Sequence, residues 1–431
     1  YEILPSLVGS EMCIRDSAIP KEMSQPAGKF WLDPKLWAIA LAETLAWAGL
    51  FYMFPALLLR WQQNFGWSIS QLSSGLMFAL VISALIGILS GTLIDKGYGR
   101  PLVTFSVITG GLVLLFLLII QELWQFYLVW ALVGIFMGGC FYDPCFAMLT
   151  RKYGGNAKGP IVMVTFFAGL AITVGFPVSS IVANTFGWKA SVFTFSLFLV
   201  LVSGPLFWFG YSDEAYSGVK LTNKLKTSSR KMISNLFSNP IFWGLSIMFT
   251  AFGINHIMLL SQILPILDSK GFSDKSAVLI ATFMGPMQVS GRMLLITVEK
   301  LGNKTLPNIT VSLVCSTVLA AASLSLYFSD IHKELILTFL IFQGCSFGII
   351  NIIKPVITAE LLGQENFGFT SSIVGFGYIW GFAFAPGIAG FISDALGNDA
   401  VIKAGFYIAL IGMGAMVCST ISFRNIRRYI G

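Results

Sequence analysis

The chain has 431 residues, of which 56% are hydrophobic and only 11% charged, whereas a soluble domain carries roughly 25% charged residues. Six scattered cysteines and two histidines give no disulfide framework and no metal-ligand spacing, and the sequence shows no cofactor motif, ATP-binding loop or enzymatic nucleophile. The net charge of +7 fits membrane topology, because lysine and arginine accumulate on the cytoplasmic side of membrane proteins, so we expect no nucleic-acid partner.

The amino-terminal end differs from the rest of the chain. Residues 1–17, YEILPSLVGSEMCIRDS, resemble translated sequencing-adapter sequence. They lack the basic region and the long apolar region of a signal peptide. We therefore expect residues 1–17 to be a non-native leader and residues 18–36 to be a cytoplasmic segment.

Apolar segments long enough to cross about 30 Å of hydrocarbon recur along the rest of the chain. They predict an all-α membrane protein with twelve transmembrane helices in two six-helix bundles, 37–210 and 240–423. A polar linker, 211–239, separates the bundles, and a tail, 424–431, follows them. The predicted helices are 37–59, 72–94, 102–120, 124–148, 161–184, 190–210, 241–265, 276–298, 307–328, 335–358, 369–393 and 401–422.

The distribution of basic residues predicts an orientation. With the amino terminus inside, 18 lysines and arginines lie in cytoplasmic segments and six on the opposite side. This excess predicts that both termini and the linker are cytoplasmic in a cell (inner) membrane.

An internal repeat supports two related halves. Residues 66–68, Gly-Trp-Ser, open predicted helix 2, and residues 271–273, Gly-Phe-Ser, open predicted helix 8 at an offset of 205. A second match, 175–187 with 385–397, has an offset of about 210. Duplicated halves are the architecture of many secondary carriers.

Predicted helix 2 ends in a motif that continues into the following loop, Gly91, Asp95, Lys96, Gly99 and Arg100. By itself it could be a charged turn between two helices. With twelve spans and the repeat, it resembles the cytoplasmic signature of the major facilitator superfamily. The resemblance implies glycines that permit a tight turn and close helix approach, and an Asp95 that pairs across the bundle.

Within that superfamily the chain is similar to bacterial monocarboxylate and oxalate/formate carriers. The similarity lies in 142–144, 175–189, 285–292 and 354–363. It implies alternating access and a small anionic substrate, with the lipid bilayer as surroundings and a monomer as the transport unit. Monocarboxylate transporters carry an aspartate four residues before the helix 8 arginine, where this chain has Gln288.

Charged residues inside membrane helices are costly, roughly 2.5–3.5 kcal/mol each on insertion scales, and so point to function. Four stand out: Glu43, Asp143, Arg292 and Lys354. The predicted topology places all four in the cytoplasmic half of the bilayer. The two acids belong to the first half of the chain and the two bases to the second.

The two bases are candidate substrate ligands. Arg292 offers a bidentate fork that suits a carboxylate, and Gln288 lies one turn earlier on the same helical face. Lys354 shares a polar face with Asn351, and Pro355 predicts a bend beside a cavity. The alternative for both bases is a long side chain that reaches the cytoplasmic interface.

The two acids are candidate proton-coupling or gating groups. A carboxyl group in a low-dielectric site can carry a proton, as a proton-coupled carrier requires. Asp143 could instead form a structural ion pair or gate with a base such as Arg151 or Lys354. Glu43 could instead be a packed structural acid that shares a helical face with Trp47.

The sequence thus predicts a secondary transporter for a small organic anion, most simply a proton-coupled monocarboxylate carrier. The alternative is a carrier of another substrate class, such as a drug or metabolite exporter. In that case the four charges would gate the cavity and would not bind the cargo.

Overall fold

A computed structural model describes residues 30–212, 236–302, 306–363 and 367–430, apart from the side chains of 155, 367–369 and 424–430. The predicted leader 1–17 and most of the segment 18–36 therefore lie outside the described residues. The same is true of most of the linker 211–239 and of the side chains of the tail.

Twelve helices in the described residues are long and apolar enough to span a membrane, as the sequence predicts. The first six, the N-terminal half, are α1 Pro34–Phe65, α2 Ile69–Asp95, α3 Gly99–Leu118, α4 Leu123–Tyr153, α5 Lys158–Phe186 and α6 Trp188–Gly210. The last six, the C-terminal half, are α7 Pro240–Ser261, α8 Asp274–Leu301, α9 Asn308–Asp330, α10 Leu335–Leu362, α11 Thr370–Leu396 and α12 Asn398–Phe423.

The repeated Gly-aromatic-Ser sequences end one helix and begin the next in each half. Gly66 and Gly271 have φ angles of 71° and 72°, a left-handed conformation that glycine adopts without steric cost. Ser68 then accepts a hydrogen bond from Gln71 N at the start of α2, and Ser273 does the same for Ser276 N at the start of α8. The repeat therefore has the same local structure in both halves.

Three helices that the sequence predicts as continuous are interrupted. In α4 the backbone of Phe141 is extended, with φ −81° and ψ −164°, between Leu123–Cys140 and Tyr142–Tyr153. Pro144, which lacks an N–H, suits the first turn of the new helix. The second interruption, in α5, lies between Ala168 and Ala171.

The third interruption is in predicted helix 241–265, because α7 ends at Ser261 and a short helix, Ile263–Ser269, follows. In contrast, α10 runs through Pro355 without interruption. Helix periodicity alone does not separate a proline that ends a helix from one that a helix tolerates.

The two halves meet through α2 with α11 and through α5 with α8. Asp394 at the end of α11 accepts a hydrogen bond from Ser70 N at the start of α2 (2.7 Å), and Gln262 Nε2 donates to Ser73 Oγ (2.8 Å). Both contacts lie at the end of the molecule opposite the termini. Nearer the centre, Thr173 of α5 donates to the carbonyl oxygen of Thr282 in α8 (3.2 Å).

Among the described residues, the hydrogen bond between the halves that lies nearest to the termini joins Arg292 of α8 to Thr165 of α5. Toward the termini from it, no hydrogen bond or ion pair that joins two described residues connects the halves, apart from whatever contacts Lys35, Tyr211, Ser238 and Ser372 make with residues outside the described ranges. The halves are therefore joined from the far end to the centre of the molecule.

Candidate functional site

The acid of α1 is completely buried. Glu43 is 0% exposed, and its Oε1 accepts a hydrogen bond of 3.1 Å from Trp47 Nε1 one turn later. Its Oε2 has no hydrogen-bond donor among the described residues. A buried carboxylate with one oxygen unpaired is costly, whereas a protonated carboxyl removes the charge, so this site favours an acid that can take up a proton.

Trp47 connects Glu43 to the interruption of α4. The Trp47 ring stacks on the ring of Phe141, with centroids 4.1 Å apart and planes inclined at 13°. It also contacts Tyr142, at 4.8 Å between centroids. The extended backbone at Phe141 thus places both rings of α4 against the indole that binds Glu43.

Asp143 lies in the first turn after this interruption and is exposed, in contrast to Glu43. Asp143 interacts electrostatically with Glu43 and, across the two halves, with Lys354. It forms no direct ion pair with Lys354 among the described contacts. The predicted alternative partner, Arg151, instead binds Asp95.

Arg292 is buried, with 6% of its surface exposed. Its Nε donates to the carbonyl oxygen of Gly348 in α10 (3.3 Å), and Nη1 donates to that of Thr165 in α5 (2.8 Å). The guanidinium group has five N–H donors, so these two bonds leave others available. Arg292 therefore points into the contact between the halves and does not reach the end of the helix.

Gln288 lies one turn before Arg292 and is 3% exposed. Its Nε2 is buried and has no hydrogen-bond acceptor among the described residues. An unpaired buried amide costs about 1–3 kcal/mol. Because the neighbouring guanidinium also has free donors, this part of α8 offers several donors to an anion.

Lys354 is half-buried in α10, and its Nζ lies 4.1 Å from the centre of the Tyr378 ring in α11. A cation over an aromatic face is stabilised by the ring quadrupole. Asn351, also half-buried, is three residues earlier on the same helical face. The Lys354 side chain therefore contacts the neighbouring helix α11 within the C-terminal half.

The motif after α2 forms contacts within the N-terminal half. Asp95 accepts an ion-pair hydrogen bond of 2.8 Å from Arg151 of α4, and Arg100 lies 3.9 Å from the Trp208 ring of α6. Of the two predicted glycines, Gly99 is in close contact with Met148, so a side chain there would collide. Gly91 has open space around it, and the turn is made instead by Gly97, with φ 90°. Lys96 is exposed.

Taken together, the structure separates the predicted residues into two groups near the interface between the halves. Glu43, Asp143 and Lys354 are linked electrostatically, and Arg292 with Gln288 forms a donor cluster near the α5 interruption. The sequence did not indicate the Thr165 carbonyl as a partner of Arg292, because every residue has a backbone carbonyl and the residue type does not mark the one that is used. Within the described residues, no group of three or more His, Cys, Asp or Glu side chains could hold a metal ion.

The fold and this site define a twelve-span helical membrane protein with polar groups gathered between two related halves. Residues 36–328 match the family model of the Major Facilitator Superfamily. The chain belongs to this superfamily, whose members are secondary transporters and not enzymes.

Two solved structures of a bacterial homologue of the human lysosomal transporter Spinster share the fold. The inward-facing and unoccupied form has a TM-score of 0.67 at 17% identity, with 90% of this chain and 95% of that chain covered. The inward-facing and occupied form has a TM-score of 0.62 at 16% identity, with coverage of 93% and 96%.

A curated relative is the multidrug resistance protein MdtH of Aeromonas hydrophila subsp. hydrophila, which is 29% identical over 117 residues. The match covers 27% of this chain and 29% of that protein. The chain therefore matches less than a third of the length of this relative.

Proposed function

We propose that this transporter moves a small organic anion, in particular a monocarboxylate, together with a proton by alternating access. The main support is the pair of buried donors on α8, Arg292 with free guanidinium N–H groups and Gln288 with an unpaired amide. An arginine fork beside an amide donor suits the two oxygens of a carboxylate. Lys354 and Asn351 would provide a second cation and a polar contact on α10.

The proton would be carried by the acids of the N-terminal half. Glu43 is the better proton acceptor, because it is buried with one unpaired oxygen, and the exposed Asp143 would exchange the proton with solvent. The anion and the proton would bind on opposite sides of the same interface. Their joint binding would neutralise charges of both halves and so lower the cost of closing the interface.

The orientation proposed from basic residues makes the termini cytoplasmic. Because the described contacts between the halves lie at the centre and at the far end, the conformation is then inward-facing. The motif of Gly91, Asp95, Lys96, Gly99 and Arg100 would be cytoplasmic as well. Cysteines placed at exposed Lys96 and at Lys275 would test this: in intact cells an impermeant maleimide should label only the second.

A binding screen tests the substrate class. Purified protein in detergent is titrated with lactate, acetate and oxalate, and with cationic drugs, by monitoring the thermal unfolding temperature. A stabilising anion should raise this temperature in the wild type and fail to do so in Arg292→Ala. If Arg292→Ala responds to carboxylates as the wild type does, the anion role of Arg292 is wrong.

The alternative substrate class is an amphiphilic drug, and the observation that favours it is the partial match to a multidrug resistance protein. Aromatic rings near the interface, such as Trp47, Tyr142 and Tyr378, would suit such a cargo. In the same screen, stabilisation by cationic drugs and not by carboxylates would support the exporter and overturn the anion carrier.

A further inference from the structure

Arg292 makes an unusual contact for a substrate ligand, because it donates to a backbone carbonyl of a helix in the other half. The Thr165 carbonyl that accepts from Arg292 Nη1 lies one turn before the interruption of α5. The same carbonyl accepts a hydrogen bond of 3.0 Å from Gly169 N. Leu170 N donates to the carbonyl oxygen of Phe167, three residues earlier, where a regular α-helix would use the residue four earlier. The Thr165 carbonyl, already bonded within its own helix, therefore accepts a second hydrogen bond from a cation of the C-terminal half.

The surroundings of Gly169 fit this contact. A Cβ atom at Gly169 would lie 3.8 Å from Arg292 Nη1, and at Gly285 of α8 it would collide with Thr173 and Ile172 of α5. The backbones of α5 and α8 thus lie close together, and this places the Arg292 guanidinium within hydrogen-bonding distance of the Thr165 carbonyl. Of the hydrogen bonds that the described residues form between the halves, this is the one that involves a charged donor and a neutral backbone acceptor.

We propose that the Arg292–Thr165 hydrogen bond is a latch that stabilises the present conformation. An anionic substrate would break this bond by accepting hydrogen bonds from the guanidinium group in place of the Thr165 carbonyl. The proposal rests on the anion role of Arg292 given above. A carboxylate accepts from a guanidinium more strongly than a neutral carbonyl does. Because a ligand shifts a conformational equilibrium only by its differential affinity for the two states, competition for one donor group would link binding to movement.

The first part of the test needs no substrate. Spin labels are attached to cysteines at Lys158 and Lys300, which are exposed at the ends of α5 and α8 nearest the termini, in a background without the native cysteines. Pulsed electron–electron double resonance then measures the distance between the two spin labels, and so between the halves. Arg292→Gln removes the charged donor, so the ratio of the closed, short-distance population to the open one should rise roughly tenfold.

The matched control is Arg60→Gln. Arg60 also donates to α5, through Asn184 at 2.6 Å, but both residues belong to the N-terminal half. This variant should leave the distance distribution of the wild type unchanged. If Arg292→Gln also leaves it unchanged while the protein remains folded and monodisperse, the latch does not exist.

The second part adds lactate or acetate to the labelled wild type. The short-distance population should grow with anion concentration, and this growth should be absent in Arg292→Gln. If Arg292→Gln shifts the distances but no carboxylate shifts the wild type, the latch stands and the proposed substrate class fails. If carboxylates stabilise the wild type against unfolding but do not move the labels, the anion site stands and the latch proposal fails.

Discussion

The indole N–H of Trp47 donates to the Glu43 carboxyl at 3.1 Å, while the same ring stacks on Phe141, where α4 is interrupted. One side chain therefore joins the buried acid of α1 to the backbone change that precedes Asp143. A change at Glu43 that moves this indole would therefore act directly on the interrupted part of α4.

Replacement of Trp47 by phenylalanine tests this connection. The variant keeps an aromatic ring against Phe141 but removes the only described donor to Glu43. Without that donor the ionised carboxylate is less stable, so proton release becomes slower and proton-driven uptake should fall several-fold. Lactate affinity, measured by thermal stabilisation, should stay within about twofold of the wild type, because Arg292 is unaffected. Unchanged uptake would show that the indole bond has no part in coupling.

Gln288→Leu tests the second donor on α8. Leucine removes an amide with no described acceptor, so unfolding stability should be equal to that of the wild type or higher. The loss of a hydrogen bond to a charged carboxylate should raise the KM for uptake by roughly tenfold.

The matched control is Gln343→Leu, another buried glutamine, whose Nε2 donates to Asn255 Oδ1 at 3.0 Å within the C-terminal half. This variant should lower stability by about 1–3 kcal/mol, because Asn255 loses a partner, and should leave KM unchanged. If Gln288→Leu destabilises the protein as Gln343→Leu does and leaves KM unaltered, Gln288 does not bind the substrate.

Asp143 and Lys354 interact across the halves in this conformation without a direct ion pair. We expect closure on the side of the termini to bring them together. The single changes Asp143→Lys and Lys354→Asp should each lower uptake by more than tenfold, because each places like charges opposite one another. The double exchange should recover part of the rate if attraction between the two residues is what matters. If the double variant is as inactive as the singles, each residue acts through its own chemistry.

A structural ion pair outside the membrane spans gives a prediction for stability. Asp33 accepts hydrogen bonds from Lys152 Nζ and Tyr153 Oη, both at 2.8 Å, which tie the start of α1 to the end of α4. Partial burial raises the pKa of Asp33, but these hydrogen bonds outweigh it, and the net pKa lies below the usual 3.8. The stabilisation is therefore complete above pH 3.8 and is lost only as pH falls through the lower pKa of the folded state.

Asp33→Asn should lower the unfolding free energy by about 1–2 kcal/mol at neutral pH. Asp95→Asn is the matched control, because its carboxylate also pairs with a base of α4 but is 65% exposed. Its effect should stay below about 1 kcal/mol. Thermal unfolding in detergent measures both. Equal effects of the two variants would show that burial does not distinguish these pairs.

The number of helices, their approximate limits and the repeated helix starts could be predicted from the sequence, because hydrocarbon thickness and N-cap chemistry both leave residue-type patterns. The interruption at Phe141 could not be predicted from Pro144, since a proline also occurs inside a continuous helix at Pro355. The interruption at Gly169–Leu170 lies in an apolar run, whose composition is the same whether its backbone is continuous or broken. The four charged residues inside the membrane helices could be recognised from the sequence, because a charge there is costly. Their surroundings could not be predicted, because the burial of Glu43 and the exposure of Asp143 depend on how the halves pack.

The central claim is that proton uptake by Glu43 drives anion movement, and Glu43→Gln in proteoliposomes tests it most directly. The amide keeps the shape of a protonated carboxyl but cannot release a proton. With an inward proton gradient, the wild type should concentrate labelled lactate, whereas Glu43→Gln should not. The variant should still exchange internal for external lactate, because exchange requires no net proton movement. If Glu43→Gln concentrates lactate as the wild type does, Glu43 is not the coupling residue and the account is contradicted.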